Sequence, residues 1–201
     1  VKQHIEGTKG INSWNEFNES ISVEEKYLME NYRNASQITE ECNRRFSMKM
    51  KAINTPGNGV VELESAEDFE DKMRSILINV HKPGIRAIIV NDVEEAKQIK
   101  TKYIVHQDKI HDMTAGHFDF HRTRWNLLTV EQAKGLEFGT VIAISGRMTP
   151  NKKYIALTRA LDELFIYDLP LEIEQITTTE PIKEDKKLES KQENRMRVKE
   201  E

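Results

Sequence analysis

The hydrophobic residues of this chain form short unbroken runs, separated by segments in which apolar side chains recur at helical spacing. Three runs, at residues 85–90, 125–130 and 140–144, have the β-branched and aliphatic composition of strands that are buried on both faces. Shorter segments at 26–32, 60–63 and 164–167 predict three further strands. The hydrophobic pattern therefore predicts strands distributed along most of the chain.

Helix signals fill the intervals between these strands. One helix is indicated by apolar residues at every fourth position, and two others by a Ser or Asp followed three residues later by an acidic residue, the spacing of a capping box. A Pro-Gly pair ends one helix, another extends to about Lys100, and a short helix precedes the last strand. The residues concerned are Ile38, Cys42 and Phe46 with Asn34 or Ser36 as the cap, Ser65 with Asp68, Pro83 with Gly84, Asp92 with Glu95, and the segment 151–161.

The alternation of strands and helices predicts an α/β fold. Parallel strands joined by crossover helices are covered on both faces, and this burial explains their continuous apolar runs. We therefore predict a parallel sheet flanked by helices in three α/β/α layers, spanning residues 22–170. Residues 1–21 are expected to be a lead-in from a preceding domain. Residues 171–201 are expected to be a charged tail, because they contain too few large apolar side chains to build a core.

Composition narrows the functional classes only slightly. Of the 201 residues, 37% are hydrophobic and 32% charged, and the formal net charge is −4. The chain thus lacks the overall basic field of many nucleic-acid-binding proteins, although a local basic strip could still bind phosphates. Cys42 is the single cysteine, which excludes an intramolecular disulfide and favours a reducing compartment such as the cytoplasm. No apolar run approaches the ~20 residues of a membrane span.

Three short segments carry residues suited to phosphate chemistry. The segment Asn31–Asn34 places an aromatic ring beside a guanidinium at the mouth of the first helix. The segment Leu128–Phe138 contains a Lys-Gly turn, where glycine lets backbone amides approach an anion and lysine favours phosphate. In Tyr154–Ala160, Arg159 lies among small and apolar residues, where a buried arginine needs an anion. Each feature alone is common on protein surfaces, and only their order along the chain distinguishes them.

Together, the segments resemble motifs IV, V and VI of superfamily-one helicases of the UvrD/Rep type. Asn31–Asn34 is similar to the family's N-Y-R-S, Lys134–Phe138 to K-G-L-E-F, and Tyr154–Ala160 to Y-V-A-L-T-R-A. They occur in the family's order, and little more than a strand and a loop separates the last two. The resemblance covers about residues 22–168 and implies the second, RecA-like motor domain of an ATP-dependent DNA helicase.

The resemblance also implies a role for each matched residue in binding ATP with Mg²⁺ and single-stranded DNA. In phosphoryl transfer, a cation placed where negative charge develops stabilises the transition state, and an arginine from a second domain can supply it. The implied roles are base stacking for Tyr32, γ-phosphate contact and catalysis for Arg33 and Arg159, nucleotide binding for Gly135, ribose binding for Glu137, and nucleic-acid contact for Thr129 and Lys134.

Two departures from the family pattern qualify this assignment. Glu131 stands where many members carry histidine, and an unpaired carboxylate there should repel phosphate. The interval between motifs IV and V is also too short for the large inserted subdomain of the best-known members. The pattern is therefore closer to a compact, helicase IV-like branch than to UvrD itself.

The chain lacks the G-x-x-x-x-G-K-[ST] loop that cradles nucleotide phosphates, and it lacks a clear acidic Mg²⁺ motif. In the family, both belong to the first motor domain. Because the chain begins with Val1 rather than Met, we expect it to be part of a longer protein. Alone, it is expected to be a monomer without ATPase activity. Its expected partners are the N-terminal motor domain and single-stranded DNA.

Two other functions are open from the sequence. A metal-binding loop would use His and Asp side chains that match no established ligand spacing, and no metal site is predicted. These side chains are His106, His111, Asp112, His117, Asp119 and His121. A non-catalytic interaction module could retain the fold, but it would have no chemical need for arginines and a carboxylate at the motif positions.

Overall fold

The computed structural model describes residues 29–78, 84–116 and 119–171. The elements in these residues, in chain order, are β1 (Glu30–Asn31), α1 (Ser36–Phe46), β2 (Lys51–Ala52), β3 (Gly59–Glu62), α2 (Ala66–Ile78), β4 (Arg86–Val90), α3 (Val93–Lys102), a 3₁₀ helix (Ile104–Lys109), β5 (Ile110–Asp112), β6 (Trp125–Thr129), α4 (Val130–Ala133), β7 (Phe138–Ile144), α5 (Pro150–Leu157) and β8 (Ala160–Tyr167). The predicted lead-in and nearly all of the predicted tail lie outside the described residues.

Six of the strands form one sheet in the order β3-β8-β7-β4-β6-β5. Every neighbouring pair in this sheet is parallel. β1 and β2 form a separate parallel pair near the start of α1. The central strand β4 is buried at all five positions, as expected for a parallel strand covered on both faces.

Alternate residues of the strands point into two separate hydrophobic cores. On one face, the strands pack against α1, α4 and α5, and the strand residues there include Ala87, Ile89, Leu128, Val141, Ala143, Leu164 and Ile166. On the other face, they pack against α2 and α3, through Ile88, Val90, Leu127, Ile142, Ile144, Phe165 and Tyr167. The predicted three-layer α/β/α fold with a parallel sheet is confirmed.

Two of the predicted helix starts are confirmed, and one is wrong. The Ser65 hydroxyl accepts a hydrogen bond from the Asp68 amide, and the Asp68 carboxylate accepts one from the Ser65 amide. Asp92 accepts from the Glu95 amide, which caps α3. α1, however, begins after Ala35 without a side-chain cap, because the Asn34 amide is used elsewhere.

The other differences from prediction lie where strands and helices are short or polar. The last helix ends at Leu157 rather than at residue 161, because the Thr158 hydroxyl donates to the Tyr154 carbonyl oxygen and the chain then turns into β8. β8 begins at Ala160, four residues before the predicted strand, since its first half is only partly apolar. The short strand β5 and the single-turn helix α4 were both missed.

None of the helices in the described ranges is long and apolar enough to cross a membrane.

Candidate functional site

Residues from all three motif segments meet at one corner of the sheet, where β7 and β8 begin. Glu137 immediately precedes β7, Arg159 immediately precedes β8, and the first residues of these two strands pair with each other. Arg33 reaches the same corner from the segment before α1. We call Tyr32, Arg33, Glu137 and Arg159 the motif corner.

Arg33 joins the first motif segment to the other two. Its Nη1 lies 3.3 Å from Glu137 Oε1, and its Nη2 donates to the Thr158 carbonyl oxygen at 3.0 Å. The side chains of Arg33 and Glu137 are 37% and 45% exposed. Because an ion pair this exposed contributes at most about 1 kcal/mol, both groups can exchange their contact for a ligand at low cost.

Two asparagines fix the backbone that carries Tyr32 and Arg33. The Asn31 side-chain oxygen accepts hydrogen bonds from the amides of Arg33 and Asn34. The buried Asn34 side chain accepts from Asn31 Nδ2 and donates to the carbonyl oxygens of Thr158 and Ala160, at 3.1 and 2.6 Å. From the sequence, Asn34 had no role beyond its place in the first motif segment and a possible helix cap. Its position three residues after Asn31, on the other side of the Tyr-Arg pair, was the available signal.

Arg159 is buried, with only 2% of its surface exposed. Its guanidinium donates to the carbonyl oxygens of Ile155 and Leu136 and to the Thr158 hydroxyl, at 3.0, 3.1 and 3.1 Å. Burial, and after it the nearby charge of Arg33, lower the pKa of this guanidinium. Its contacts here are therefore structural, and the γ-phosphate contact expected for Arg159 stays a prediction.

Tyr32 is the most exposed member of the motif corner, at 63%. Its hydroxyl donates to the Glu30 carboxylate, and most of the residue's surface is exposed to solvent. An exposed aromatic ring held at its hydroxyl end is suited to stacking on a flat ligand. Base stacking by Tyr32 stays a prediction.

Of the two predicted nucleic-acid contacts, Thr129 lies at the carboxyl end of its strand, away from this corner, whereas Lys134 is only three residues before Glu137. Thr129 ends β6 and caps α4: its hydroxyl accepts from the Gln132 amide at 3.3 Å, while Gln132 Oε1 accepts from the Thr129 amide at 3.0 Å. The spacing Thr-x-x-Gln is the signal that predicts such a box, and it was overlooked. Lys134 and Gly135 are exposed, and Gly135 has a φ of +88°.

Glu131 has a cationic partner. Lys152 of α5 lies 2.6 Å from Glu131 Oε1 and also donates to Asn91 Oδ1 at 3.4 Å. Glu131 therefore does not present an unpaired carboxylate to a phosphate, which answers the doubt raised by the missing histidine. Nothing in the sequence pattern pairs Glu131 with Lys152, because they belong to different helices.

Three side chains of the alternative metal site, those of His111, Asp112 and His121, have other partners. His111 Nε2 lies 2.9 Å from the Asp119 carbonyl oxygen, and His121 Nδ1 accepts from the backbone amides of Thr123 and Arg124. The Asp112 carboxylate binds Lys100 and Thr114. Within the described residues, no three His, Cys, Asp or Glu side chains are placed to hold a metal ion. His117, another proposed ligand, lies outside those residues.

No protein-family model and no curated protein matches the chain. Among solved structures, it is similar to the C-terminal domain of a possible DNA helicase from Lactobacillus plantarum, with 19% identity, a TM-score of 0.48, and 69% of this chain and 88% of that chain covered. It is also similar to arterivirus nonstructural protein 10, a helicase solved with DNA, at 17% identity and a TM-score of 0.36, over 70% of this chain and 25% of that one. The helicase nsp10 of PRRSV is 14% identical, with a TM-score of 0.31, over 69% of this chain and 23% of that one. Because these three TM-scores lie below 0.5, the functional argument rests on the residues of this chain.

Proposed function

We propose that this chain is the second RecA-like motor domain of an ATP-dependent DNA helicase of the UvrD/Rep type, closest to the helicase IV-like branch. The observation that supports this most is the contact between the motif segments. Arg33 is 104 positions from Glu137 and 125 from Thr158, yet its guanidinium touches both. The motif segments, far apart in the sequence, thus lie together, as a shared nucleotide site requires.

At the motif corner, the chain offers three exposed groups that complement ATP. The Tyr32 ring stacks on the base, the Glu137 carboxylate accepts a hydrogen bond from a ribose hydroxyl, and Arg33 reaches the γ-phosphate. ATP supplies the phosphoryl group and the Mg²⁺ bound to it neutralises phosphate charge. We expect the first motor domain to hold most of the phosphates and the metal, because the described residues contain no acidic cluster for it.

The nucleic-acid face of the proposed motor lies around Thr129 and Lys134. Thr129 is at the carboxyl end of β6, whereas Glu137 and Arg159 stand at the amino ends of β7 and β8. When the γ-phosphate is lost, Arg33 loses its anionic partner on the other domain. The interface between the domains then opens, and the affinity of the protein for the bound DNA changes. Hydrolysis thereby drives movement along single-stranded DNA.

The test is DNA-stimulated ATP hydrolysis by the intact protein, in which this domain is joined to its phosphate-loop partner. Arg33→Ala should lower kcat by about 100-fold or more, as expected for an arginine that contacts the transferred phosphoryl group. Arg44→Ala is the matched control, since Arg44 is exposed and pairs with Glu41 on α1. Undiminished turnover in Arg33→Ala would refute the proposal. The chain alone should show negligible turnover.

One observation favours a second candidate, a non-catalytic interaction module. The guanidinium of Arg159 is engaged entirely by groups of its own domain, as in a residue kept only for structure. ATP binding by the intact protein separates the two functions. In a motor, Tyr32→Ala raises the Kd for ATP because a stacking surface is lost, whereas in a scaffold the affinity is unchanged.

A further inference from the structure

One ammonium group connects the carboxyl ends of three neighbouring strands. Lys152, on α5 after β7, contacts Glu131 on α4 after β6 and Asn91 directly after β4. β4 lies between the other two strands in the sheet. The Lys152 side chain is only 16% exposed, so its position is set by these contacts and by packing. We call Lys152, Glu131 and Asn91 the lysine bridge.

The lysine bridge lies where an open α/β sheet is best placed to bind a ligand. The helix after β4 packs on one face of the sheet, while the helices after β6 and β7 pack on the other. Strands whose following helices diverge in this way leave a crevice at their carboxyl ends, and ligands bind there. Thr129 stands at this same edge.

Positive and negative side chains from neighbouring elements meet at this edge of the sheet. The β7–α5 connection supplies Arg147 and the first turn of α5 supplies Lys152, while α3 and α4 supply the carboxylates of Glu95 and Glu131. Glu95 is buried, and its Oε1, 3.9 Å from Arg147 Nε, has no hydrogen-bond partner among the residues that the structure describes. Removing Lys152 would therefore leave the Glu131 carboxylate uncompensated next to a bound nucleic-acid strand.

We propose that Lys152 is a positioning residue for the nucleic-acid face: it neutralises Glu131 and holds α4, together with its cap Thr129, against α5. The inference rests on the proposed function, because it places a nucleic-acid strand at this edge. It differs from a direct phosphate contact by Lys152 in one respect. Lys152 matters here only while Glu131 carries a charge.

The experiment measures binding of a fluorescein-labelled oligothymidine, by fluorescence anisotropy, to the intact protein in which this domain is joined to its phosphate-loop partner. It compares the wild type with Lys152→Gln, with Glu131→Gln and with the double variant. Lys152→Gln should weaken binding about fivefold, the effect of one uncompensated charge near a phosphate. Glu131→Gln should bind at least as tightly as the wild type, and the double variant should return to within about twofold of the wild type.

Rival outcomes are separated by the double variant and by salt. If Lys152 contacted a phosphate directly, the double variant would stay as weak as Lys152→Gln, and the salt dependence of binding would fall by about one counterion. Either result overturns the proposal. Lys109→Gln is the matched control, since Lys109 is half exposed and pairs with Asp108 beside β5.

A second measurement separates a failure of this inference from a failure of the proposed function. Urea denaturation of this chain with the same four sequences forms a double-mutant cycle, and the changes in the free energy of unfolding should be clearly non-additive, because Lys152 is largely buried against Glu131. Additive shifts would overturn the lysine bridge even if DNA binds. If the wild type does not bind the oligothymidine at all, the proposed function fails, and the nucleic-acid role of Lys152 fails with it, whatever the cycle shows.

Discussion

Arg33 and Arg159 both donate a hydrogen bond to Thr158, Arg33 to its carbonyl oxygen at 3.0 Å and Arg159 to its hydroxyl at 3.1 Å. The two guanidinium groups nevertheless have opposite environments. The Arg33 side chain is 37% exposed, whereas Arg159 is buried and bound to backbone carbonyls. The motif pattern assigns both residues to the same phosphate, but their surroundings predict different consequences when each is removed.

Arg159→Ala should destabilise the chain far more than Arg33→Ala. Removing the buried guanidinium takes the donor from the Leu136 carbonyl oxygen and one of two donors from that of Ile155, and we expect a loss of about 3 kcal/mol in the free energy of unfolding. For Arg33→Ala the expected loss is below about 1 kcal/mol, because its ion pair is exposed. Urea denaturation followed by circular dichroism measures both. Equal losses would contradict the distinction between the two arginines.

Asn34→Asp should be more damaging than Asn34→Ala. The Asn34 amide donates to two carbonyl oxygens, and an aspartate would place a buried negative charge against them. We expect a loss of about 2 kcal/mol for alanine and a larger one for aspartate. Asn54→Asp is the control, because Asn54 is exposed and makes a single bond to the Tyr32 carbonyl oxygen. The measurement is the midpoint of thermal unfolding. An Asn34→Asp variant with an unchanged midpoint would refute the expectation.

Gly135→Ala should cost about 1 kcal/mol through backbone strain alone. Gly135 has a φ of +88°, and an added Cβ would meet no atom within 4 Å, so steric overlap is not the cause. Gly135→Asn should cost less, because asparagine tolerates a positive φ better than alanine. Gly139→Ala is the comparison: its added Cβ would make only an ordinary contact at 3.7 Å. Chemical denaturation of the three variants tests this order.

Cys42 should react slowly with thiol reagents in the folded chain. Burial, and after it the charge of Glu41, raise the pKa of the Cys42 thiol to about 12, so the reactive thiolate is scarce at pH 8. Because the folded pKa lies above the unfolded one, the associated stability is fully present below the unfolded pKa of about 8.5 and is lost as the pH rises towards 12. Labelling with a chromogenic disulfide in buffer and in urea measures the difference. Equal rates would show that the thiol is accessible.

The sequence predicted the fold best where burial is continuous. β4, β6 and β7 were found within one or two residues because their apolar runs reflect packing on both faces. The first half of β8 was missed because two of its four residues, Asp162 and Glu163, are charged. β5 was missed because three residues reading Ile-His-Asp carry no periodic signal.

The candidate site was predictable in part for a similar reason. The motif segments predicted Arg33 and Glu137 as nucleotide-binding residues, and the structure brings these two into contact. It also shows what no motif encodes: which way Arg159 turns, and which charges meet across separate helices. Those depend on three-dimensional neighbours such as the Leu136 carbonyl oxygen and Lys152, and their sequence separation hides them.

α5 is only eight residues long, about 12 Å from end to end. Its first turn carries Lys152 near the carboxyl ends of the strands. The chain that leaves its last turn carries Arg159 near their amino ends. A helix of two turns is too short to bend appreciably, so pushing one end must displace the other. In the proposed motor, the nucleotide and the single-stranded DNA would thus act on opposite ends of one rigid helix. The displacement of either end could be no larger than the tilt that the packing of α5 on the sheet allows.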